Sequence, residues 1–227
     1  MHGGGARVTS WLERLGIASH FDGGRRVTDG AALEVATAVL AGAVNTELVG
    51  ALRRLGADAV GVSGVDGGLL SGRRLPGLGL VAEIRDVRRV ILDDLLEQGR
   101  LPVVAPLALD EAGAVCNVNA DDAAVAIARG LKAERFVLLT DTDGVRDATG
   151  GRIGVLEAGA VGTLIDAGVI VCGMIPKVRA ALGAVVDDGA AEAVIADGSA
   201  SRAIERALED PDFGSRALAT TSSGGLR

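Results

Sequence analysis

Apolar residues recur in two patterns that alternate along this chain. In some segments they return every three or four residues, as in an amphipathic helix, and in others they form short continuous runs typical of buried strands. The predicted helices span about residues 8–15, 31–40, 46–55, 87–98, 121–129, 158–167, 176–187 and 201–208. The predicted strands span about residues 59–62, 102–105, 135–140, 193–196 and 216–219. This alternation implies an α/β fold with a mainly parallel sheet covered on both faces.

The first two helices carry local start and stop signals. Val8, Leu12 and Leu15 share one face of the first helix, and Gly16 is expected to end it. Asp29 is suited to cap the second helix, because a short carboxylate accepts hydrogen bonds from the unpaired N–H groups at a helix start.

Two hairpins and one lobe boundary are expected to interrupt this alternation. Turn-forming residues predict short hairpins at 67–74 and 110–114. The best boundary lies near residues 114–117, before an Asn-rich stretch. The sequence therefore predicts one lobe of residues 1–115 and another of residues 116–227.

The charge balance excludes some partners. The 227 residues include 23 basic and 30 acidic side chains, with a formal net charge of −7, whereas a general nucleic-acid or membrane-surface binder needs a basic face. No apolar run reaches the roughly 18 to 20 residues that span a bilayer, and the first residues lack a signal-peptide pattern. The expected location is the cytoplasm, without nucleic-acid or membrane partners.

Cysteine and histidine are too scarce for most metal sites. Cys116 and Cys172 do not have the spacing of metal ligands, and His2 and His20 are the only histidines. We therefore expect no protein-held metal, and we expect the cysteines to be small buried apolar residues.

Three consecutive glycines, Gly3–Gly5, directly precede the first predicted helix. Glycine N–H groups beside a helix N-terminus can form an anion site, because the N–H groups there are unpaired and the helix dipole is positive. The alternative is a flexible terminal tail.

Arg25 and Arg26 lie between two predicted helices. The planar guanidinium group matches a carboxylate, so one of the pair could hold an acid group of a substrate. The alternative is a solvated loop charge.

A second polar cluster follows the strand near residue 115. Alternation along an extended segment places Asn117 and Asn119 on one side, and Asp121 opens the next helix. Two amides and a carboxylate at a strand end are typical of a binding site at the carboxyl edge of a parallel sheet. Alternatively, Asp121 is only the helix cap.

Lys177 is one of only two lysines in a chain with 23 basic residues. It is expected in the first turn of a helix that begins with Pro176. A cation at that end opposes the helix dipole unless an anion is present, which favours a functional role over the alternative of a solvated lysine.

Taken together, these segments resemble the amino-acid kinase family, and within it the branch that phosphorylates N-acetyl-L-glutamate in arginine biosynthesis. The resemblance runs from residue 2 to about residue 218. The matching stretches are residues 2–5, 24–29, 61–64, 66–67, 78–81, 117–121, 139–141, 144–145, 173–177 and 196–198.

The resemblance implies a three-layer αβα sandwich in which residues 1–115 bind the amino acid and residues 116–227 bind ATP. The implied reaction phosphorylates the γ-carboxylate of an N-acylated glutamate to an acyl phosphate. Mg²⁺ is expected to arrive with the nucleotide, and a homodimer is implied by family analogy.

The resemblance also implies roles for residues on the acceptor side. Gly4 and Gly5 are expected to contact the acceptor and the transferred phosphoryl group through backbone N–H groups. Arg26 and Asn117 are expected to hold the α-carboxylate and the acylamino group.

On the nucleotide side, Lys177 is expected to neutralise charge on the phosphoryl group, with Asp121 holding that lysine in place. Asp141, Gly144 and the segment from Val171 to Met174 are expected to lie along the nucleotide.

The chain departs from the family pattern at its beginning. Family members carry a strand with Lys-x-Gly-Gly, a helix and a second strand before the glycine loop, and that lysine is one of two cations at the transferred phosphoryl group. Either the true start lies upstream, which we favour, or the chain is a truncated and inactive protein. We expect very weak or no kinase activity from residues 1–227 alone.

Two alternatives to free N-acetylglutamate as the substrate remain open. Arg25 and Ala82 stand where family members usually have Leu and Gly, which puts the acyl-amino acid in question. The first alternative is a kinase for aminoadipate or glutamate carried on an acidic protein. The second is a non-catalytic kinase remnant that acts as a binding module.

Overall fold

The computed structural model describes residues 1–171 and 173–218, so Cys172 and the predicted strand end at Ala219 lie outside the described residues. Internal contacts divide the chain into two compact units, Met1–Gly130 and Leu131–Arg227, and each is described here by itself. This division describes how the residues of each unit pack against one another, and not which ligand each unit binds. The assignment of residues 1–115 and 116–227 to two different ligands remains a prediction.

The helices of the first unit include most of the predicted ones. They are α1 (Gly5–Arg14), α2 (Gly30–Thr37), a π-helical segment (Ala38–Val44), α3 (Asn45–Arg54), α4 (Val90–Glu97) and α5 (Ala120–Leu131). In α1, Val8 and Leu12 are buried as expected. Leu15 is 60% exposed, contrary to the prediction, because α1 ends at Arg14 and the chain turns at Gly16 with φ +69°.

The second and third predicted helices are joined. Asp29 caps α2 as predicted, accepting a hydrogen bond from the Ala32 N–H at 2.8 Å. The π-helical segment then carries the helix into α3 without a break, over 25 residues from Gly30 to Arg54. This helix is long and apolar enough to cross a membrane by length and composition alone, a test that the core helices of soluble proteins also pass. Its Val39 and Leu40 are buried in the core around α1.

The strands of the first unit form parallel and antiparallel pairs. They are β1 (Phe21–Asp22), β2 (Arg25–Arg26), β3 (Ala59–Ser63), β4 (Leu70–Arg74), β5 (Ala82–Val87), β6 (Leu101–Ala105), β7 (Leu107–Leu109) and β8 (Val115–Asn117). β3 pairs with β6 in parallel, and a second sheet has the order β5-β4-β7-β8. β1 and β2 form an antiparallel hairpin that the sequence did not predict.

Two predicted boundaries need correction in this unit. The predicted helix 87–98 begins only at Val90, because Val87 pairs with Leu70 between β5 and β4. The predicted hairpin at 110–114 is confirmed, since it joins the antiparallel strands β7 and β8. The hairpin predicted at 67–74 is wrong, because residues 70–74 form the single strand β4, which pairs with β5 at residues 82–87.

The second unit has an open sheet with the order β11-β10-β9. Its elements are β9 (Arg135–Thr140), α6 (Ala158–Asp166), α7 (Met174–Val186), β10 (Glu192–Asp197), α8 (Ala203–Glu209) and β11 (Ser215–Leu218). β9 and β10 are parallel, and β11 is antiparallel to β10. Pro176 is the third residue of α7 and not its first, which corrects that prediction.

Candidate active site

The glycine loop (Gly3–Gly5) is held between α1 and β6. The N–H of His2 donates to the carbonyl oxygen of Val104 in β6 at 3.1 Å, and α1 begins at the last glycine. A Cβ atom on Gly4 would lie 2.6 Å from Cδ2 of Leu40, so this position has no room for a side chain. The first N–H groups of α1 have no carbonyl partners within the helix, which favours an anion at this end.

A cavity of about 210 Å³ opens beside the glycine loop, entirely within the first unit. Two arginines and two asparagines are among the lining residues, and no Asp or Glu is. The lining residues are Gly3, Gly4, Gly5, Val8, Phe21, Gly24, Arg25, Arg26, Ala36, Leu40, Val81, Pro106, Asn117, Val118, Asn119 and Ala120. Positive charge with helix-end and glycine N–H groups makes this cavity suited to an anionic ligand.

Arg26 is a buried cation in the wall of this cavity, with only 6% of its surface exposed. Its Nη2 donates to the carbonyl oxygen of Gly5 at 3.0 Å and to Oγ1 of Thr9 at 2.8 Å, and Nη1 donates to Oγ of Ser19. The guanidinium carbon lies 4.6 Å from the centre of the Phe21 ring. Burial lowers the pKa of Arg26, but a guanidinium remains charged in proteins. The alternative of a solvated loop charge is therefore wrong for Arg26.

Arg25 occupies the neighbouring position with a different environment. Its Nη2 lies 2.6 Å from Oδ2 of Asp122 in α5, and both side chains are about 40% exposed. This ion pair joins the β1–β2 hairpin to α5. Arg25 is thus a half-exposed cation on the cavity, beside the buried Arg26.

Asn117 ends β8 and lines the same cavity. Its Nδ2 donates to Oγ1 of Thr28 at 3.4 Å, and its N–H donates to the carbonyl oxygen of Leu80 at 2.9 Å. The Thr28 hydroxyl donates to the carbonyl oxygen of Arg26 at 2.9 Å. These bonds place the Asn117 amide and the Arg26 guanidinium in the wall of the same cavity.

Asn119 is the residue that caps α5. Its Oδ1 accepts hydrogen bonds from the N–H groups of Asp121 and Asp122 at 2.9 and 3.0 Å, which is the geometry of an N-cap. Asp121 is the second residue of α5 and half-buried. The alternative that Asp121 is only the helix cap is therefore wrong.

In the second unit, Asp141 and Gly144 follow directly from β9. Oδ1 of Asp141 accepts a hydrogen bond from the Thr140 hydroxyl at 3.1 Å. Gly144 has φ +142°, and a Cβ there would lie 2.5 Å from Oγ of Ser215, so both backbone conformation and space require glycine. The same hydroxyl accepts from the N–H of Val145 at 2.8 Å, which fixes the turn after β9.

The carboxyl ends of β9 and β10 lie side by side. The Gly198 N–H donates to the carbonyl oxygen of Thr140 at 2.8 Å. Asp197 accepts hydrogen bonds from the hydroxyl and N–H of Ser199 at 2.7 and 2.8 Å, and these bonds hold its pKa below the ordinary value. The turns after two parallel strands therefore share one edge, which is where open α/β sheets bind ligands.

Lys177 is the fourth residue of α7 and is half-buried. Gly173 is the N-cap residue of this helix, and Val171 before it is 52% exposed. The segment from Val171 to Met174 is described only in part, because it contains Cys172. Lys177 thus lies at the end of the first helical turn, as predicted.

The structure brings together the residues predicted to bind the acceptor. Four predicted acceptor-side residues line one cavity: Gly4, Gly5, Arg26 and Asn117. Asp121 lies in the first unit, and the predicted nucleotide residues Asp141, Gly144, Val171, Met174 and Lys177 lie in the second. Their contacts with substrates stay predictions.

Sequence reasoning missed several residues that shape the cavity. Ser19, Thr9 and Phe21 surround the Arg26 guanidinium, and Asn45 contacts the glycine loop through His2. Only Asn45 carried a usable signal, since it is a polar residue directly after the apolar stretch Ala38–Val44.

Across residues 1–171 and 173–218, no group of three or more His, Cys, Asp or Glu side chains is placed to hold a metal ion.

The chain is similar in sequence to known kinases. A model of the amino acid kinase family matches residues 1–197. Acetylglutamate kinase from Campylobacter curvus is 46% identical over 200 residues, which cover 87% of this chain and 71% of that protein. Acetylglutamate kinase from Desulfitobacterium hafniense is 43% identical over 220 residues, which cover 90% of this chain and 74% of that protein.

The fold is similar to solved structures as well. The crystal structure of smu.665 from Streptococcus mutans superimposes with a TM-score of 0.85 and 25% identity, covering 96% of this chain and 84% of that one. The predicted α/β fold class is confirmed by this similarity together with the parallel strands of both units.

Proposed function

Because the chain belongs to the amino acid kinase family, we propose that it transfers the γ-phosphoryl group of ATP to the γ-carboxylate of N-acetyl-L-glutamate, a step of arginine biosynthesis. The observation that carries this proposal is the cavity of the first unit. It is lined by the three glycines of the loop, two arginines and Asn117 and by no Asp or Glu, as a dianionic acceptor requires.

The reaction needs charge neutralisation more than proton transfer. A glutamate γ-carboxylate has a pKa of about 4.3, so it is ionised at neutral pH and needs no general base. A carboxylate oxygen attacks the γ-phosphorus and forms an O–P bond. The bond between that phosphorus and the β–γ bridging oxygen breaks, and ADP leaves with the electron pair. Catalysis is then mainly positioning and stabilisation of negative charge.

Arg26 has N–H groups that remain after its contacts within the protein, and these can bind the acceptor. A guanidinium has five N–H groups, and the bonds to Ser19, Gly5 and Thr9 use three of them. The Nε–H and the second hydrogen on Nη1 are the donors assigned here to the α-carboxylate. Asn117 holds the acylamino group within the same cavity. The N–H groups of Gly4 and Gly5 contact the γ-carboxylate and the incoming phosphoryl group.

The second unit supplies the nucleotide side of the proposal. Lys177 neutralises charge on the phosphoryl group, and Asp121 positions that lysine. Asp141, Gly144 and the segment from Val171 to Met174 lie along ATP. Mg²⁺ is bound by the ATP phosphates and supplies further positive charge, which agrees with its preference for substrate phosphates over all-protein cages.

The proposal is tested by two readouts on the same protein. Binding of N-acetyl-L-glutamate is measured by calorimetry, because it depends on the cavity of the first unit alone. Phosphoryl transfer is measured by trapping the acyl phosphate with hydroxylamine and detecting the hydroxamate. L-Glutamate, which lacks the acyl group, and N-acetyl-L-aspartate, which is one methylene shorter, are the controls. No binding of N-acetyl-L-glutamate would overturn the proposal.

A carrier-linked acceptor is the second candidate, and the half-exposed Arg25 on the cavity favours it. Hydroxamate formed only with aminoadipate or glutamate attached to an acidic carrier protein would replace free N-acetylglutamate as the substrate. Binding of N-acetyl-L-glutamate and ATP without any product, even after the family's Lys-x-Gly-Gly strand is added upstream, would support the third alternative, a non-catalytic binding module.

Lys177 is the residue whose replacement tests the nucleotide side. In a chain extended by the family's upstream Lys-x-Gly-Gly strand, helix and second strand, Lys177→Ala is expected to lower kcat far more than it raises KM for N-acetyl-L-glutamate, since the lysine charge matters most during transfer of the phosphoryl group. Lys132→Ala is the matched control, because Lys132 is the only other lysine. Equal kcat values for the two variants would reject the role of Lys177.

Location and assembly follow from the proposed function. A biosynthetic enzyme that uses ATP and a small amino acid is expected in the cytoplasm, with no membrane or nucleic-acid partner. A homodimer is the proposed assembly, and sedimentation at two protein concentrations tests it.

A further inference from the structure

Asn45 is a buried polar residue at the junction of the π-helical segment and α3, with 5% of its surface exposed. Its Nδ2 lies 2.8 Å from the carbonyl oxygen of Val103 in β6 and 3.3 Å from that of Val62 in β3. The same Nδ2 lies 3.2 Å from Nε2 of His2. One side chain thus connects a long helix, two parallel strands and the residue that precedes the glycine loop.

The His2 ring is held in one tautomer by these neighbours. Its Nδ1 lies 2.7 Å from the carbonyl oxygen of Gly3, and a carbonyl oxygen can only accept, so Nδ1 carries the hydrogen. The Asn45 Nδ2 has two hydrogens: one points to the carbonyl oxygen of Val103, and the other is shared between that of Val62 and Nε2 of His2. Because Nδ2 can only donate, Nε2 of His2 carries no hydrogen and accepts. Both contacts are satisfied only by a neutral ring with hydrogen on Nδ1.

The Asn45 amide cannot rotate to accommodate a different His2. Its Oδ1 occupies the space that a Cβ atom on residue 61 would need, and Gly61 leaves that space open. Turning the amide over would also place Oδ1 against the carbonyl oxygen of Val103. The orientation of the amide is therefore set by the two strands, and the His2 ring must adapt to it.

The π-helical segment contacts the same loop at a second point. Leu40 lies so close to Gly4 that a Cβ atom would come within 2.6 Å of Cδ2, and Val44 lies just beyond it. Short π-helical segments occur often at functional sites. Here the segment places Leu40 and Val44 against Gly4, and the adjacent Asn45 contacts His2 just before the loop.

We infer that His2 and Asn45 are positioning residues for the acceptor site, and that only the neutral form of His2 holds the glycine loop in the geometry that binds the acceptor. This inference rests on the proposed function, because the loop is assigned there to the γ-carboxylate. A proton on Nε2 would place two donors face to face between His2 and Asn45. The residue before the loop would then lose its side-chain contact with Asn45, while the backbone bond from His2 to Val104 would remain.

The surroundings of His2 favour the neutral ring. Burial lowers the pKa of His2, and the hydrogen bond to Gly3 acts in the opposite direction. The neighbours from α3, β3 and β6 are Asn45, Val62, Val103 and Val104, which are uncharged.

The first test is spectroscopic and needs no activity. The nitrogen shifts of the His2 ring, recorded by NMR at neutral pH, are expected to show a hydrogen on Nδ1 and none on Nε2. The exposed His20 gives the second ring signal in this chain for comparison. A ring with hydrogen on Nε2, or an equal mixture of tautomers, would overturn the inference.

The second test measures the Kd for N-acetyl-L-glutamate between about pH 8 and about pH 5, around the ordinary histidine pKa of about 6.5. The unaltered chain is expected to bind roughly fivefold to tenfold more weakly at the acid end, which is the effect of one hydrogen bond. His2→Gln keeps an acceptor for Asn45 without a titrating ring, so its affinity is expected to stay within about threefold across this range. His2→Leu is expected to bind weakly at every pH.

The outcomes separate the inference from the proposed function. If the unaltered chain binds and His2→Leu binds equally well, or if His2→Gln keeps the full loss in acid, positioning by His2 is wrong and the function stands. If the unaltered chain does not bind at all, the proposed function fails and this inference with it.

Asn45→Leu supplies the second variant, and circular dichroism confirms which variants are folded. A folded Asn45→Leu protein with unaltered affinity would also overturn the inference.

Discussion

Arg26 donates a hydrogen bond from Nη2 to the carbonyl oxygen of Gly5 at 3.0 Å, and this bond ties β2 to the first residue of α1. The same nitrogen reaches Thr9 one turn further along the helix. The cation and the helix start are therefore one rigid arrangement, so a ligand that contacts Arg26 is also placed at the glycine loop. Substrate position in this cavity depends on the hydrogen bonds behind Arg26 as much as on its charge.

Arg26→Lys is the sharpest test of this arrangement, because it keeps the charge and removes the planar fork. A lysine ammonium cannot reach Ser19, Thr9 and Gly5 together with a ligand. Hydrogen bonds to charged groups contribute about 1.5–3 kcal/mol, so KM for N-acetyl-L-glutamate is expected to rise by about 10- to 100-fold, with a smaller effect on kcat. Steady-state kinetics at saturating ATP, in a chain extended by the family's upstream Lys-x-Gly-Gly strand, measures this.

The matched control for Arg26 is Arg14→Lys. Arg14 also belongs to an arginine–aromatic pair, with its guanidinium carbon 5.9 Å from the centre of the Trp11 ring, but it does not line the cavity. We expect its KM to be unchanged. A folded Arg26→Lys protein with the KM of the control would reject the assigned role.

Gly4→Ala tests whether the glycine loop must pack closely on the long helix. The added Cβ would meet Cδ2 of Leu40 at 2.6 Å, so either the loop or the leucine must move. We expect affinity for N-acetyl-L-glutamate to fall by about tenfold, because an overpacked contact costs about 1–3 kcal/mol. Calorimetric titration measures this loss.

Leu40→Val provides the rescue for Gly4→Ala, because valine lacks the Cδ2 atom of the clash. The double variant is expected to recover most of the lost affinity, and a double-mutant cycle gives the coupling between the two positions. Equal losses with and without Leu40→Val would show that the methyl group acts on the ligand directly and not through packing.

Local signals in the sequence predicted much of the fold and part of the site. The strand predicted at 135–140 is β9 with the same bounds, and Asp29 caps α2 as expected. Both follow from short-range rules, namely a continuous apolar run and a carboxylate before a helix. The resemblance to known kinases, and not the local pattern, connected the glycine loop with Arg26 and Asn117, which the structure places around one cavity.

The remaining features depend on contacts between segments distant in sequence. The Asn45 amide is explained only by the carbonyl groups of β3 and β6, which lie 17 and 58 residues further along the chain. The burial of Arg26 likewise depends on Ser19, Thr9 and Gly5. Helix periodicity could not predict the π-helical join between α2 and α3, because the segment is apolar throughout.

Glu192 and Arg216 form an ion pair inside the second unit and allow a test of stability. Their side chains are 16% and 8% exposed, and Arg216 also donates to the carbonyl oxygens of Ala207 and Asp210. Glu192→Ala leaves the guanidinium buried without its carboxylate, so the free energy of unfolding is expected to fall by about 3–5 kcal/mol. Urea titration measures this change.

The control for Glu192 is Asp58→Ala in the exposed pair with Arg53, where each side chain is more than half exposed. That change is expected to cost less than about 1 kcal/mol. Replacing Glu192 and Arg216 together with apolar residues of similar size is expected to restore most of the loss, because no charge is then left buried alone. A double variant no more stable than Glu192→Ala would contradict this account.

Arg25→Leu asks what the half-exposed cation on the cavity contributes, and Arg7→Leu is its matched control. Both arginines form half-exposed ion pairs, Arg25 with Asp122 at 2.6 Å and Arg7 with Glu47 at 2.7 Å, but only Arg25 lines the cavity. Each substitution is expected to change stability by less than about 1 kcal/mol. Only Arg25→Leu is expected to weaken binding of N-acetyl-L-glutamate, by roughly twofold to fivefold at low salt, and added salt should reduce the difference because it screens exposed charges. Kd values measured against salt concentration test this.

If Arg25→Leu instead leaves binding of the free acceptor unaffected and weakens only binding of a carrier-linked acceptor, then Arg25 contacts the carrier. The second candidate function then becomes the better account of this cavity.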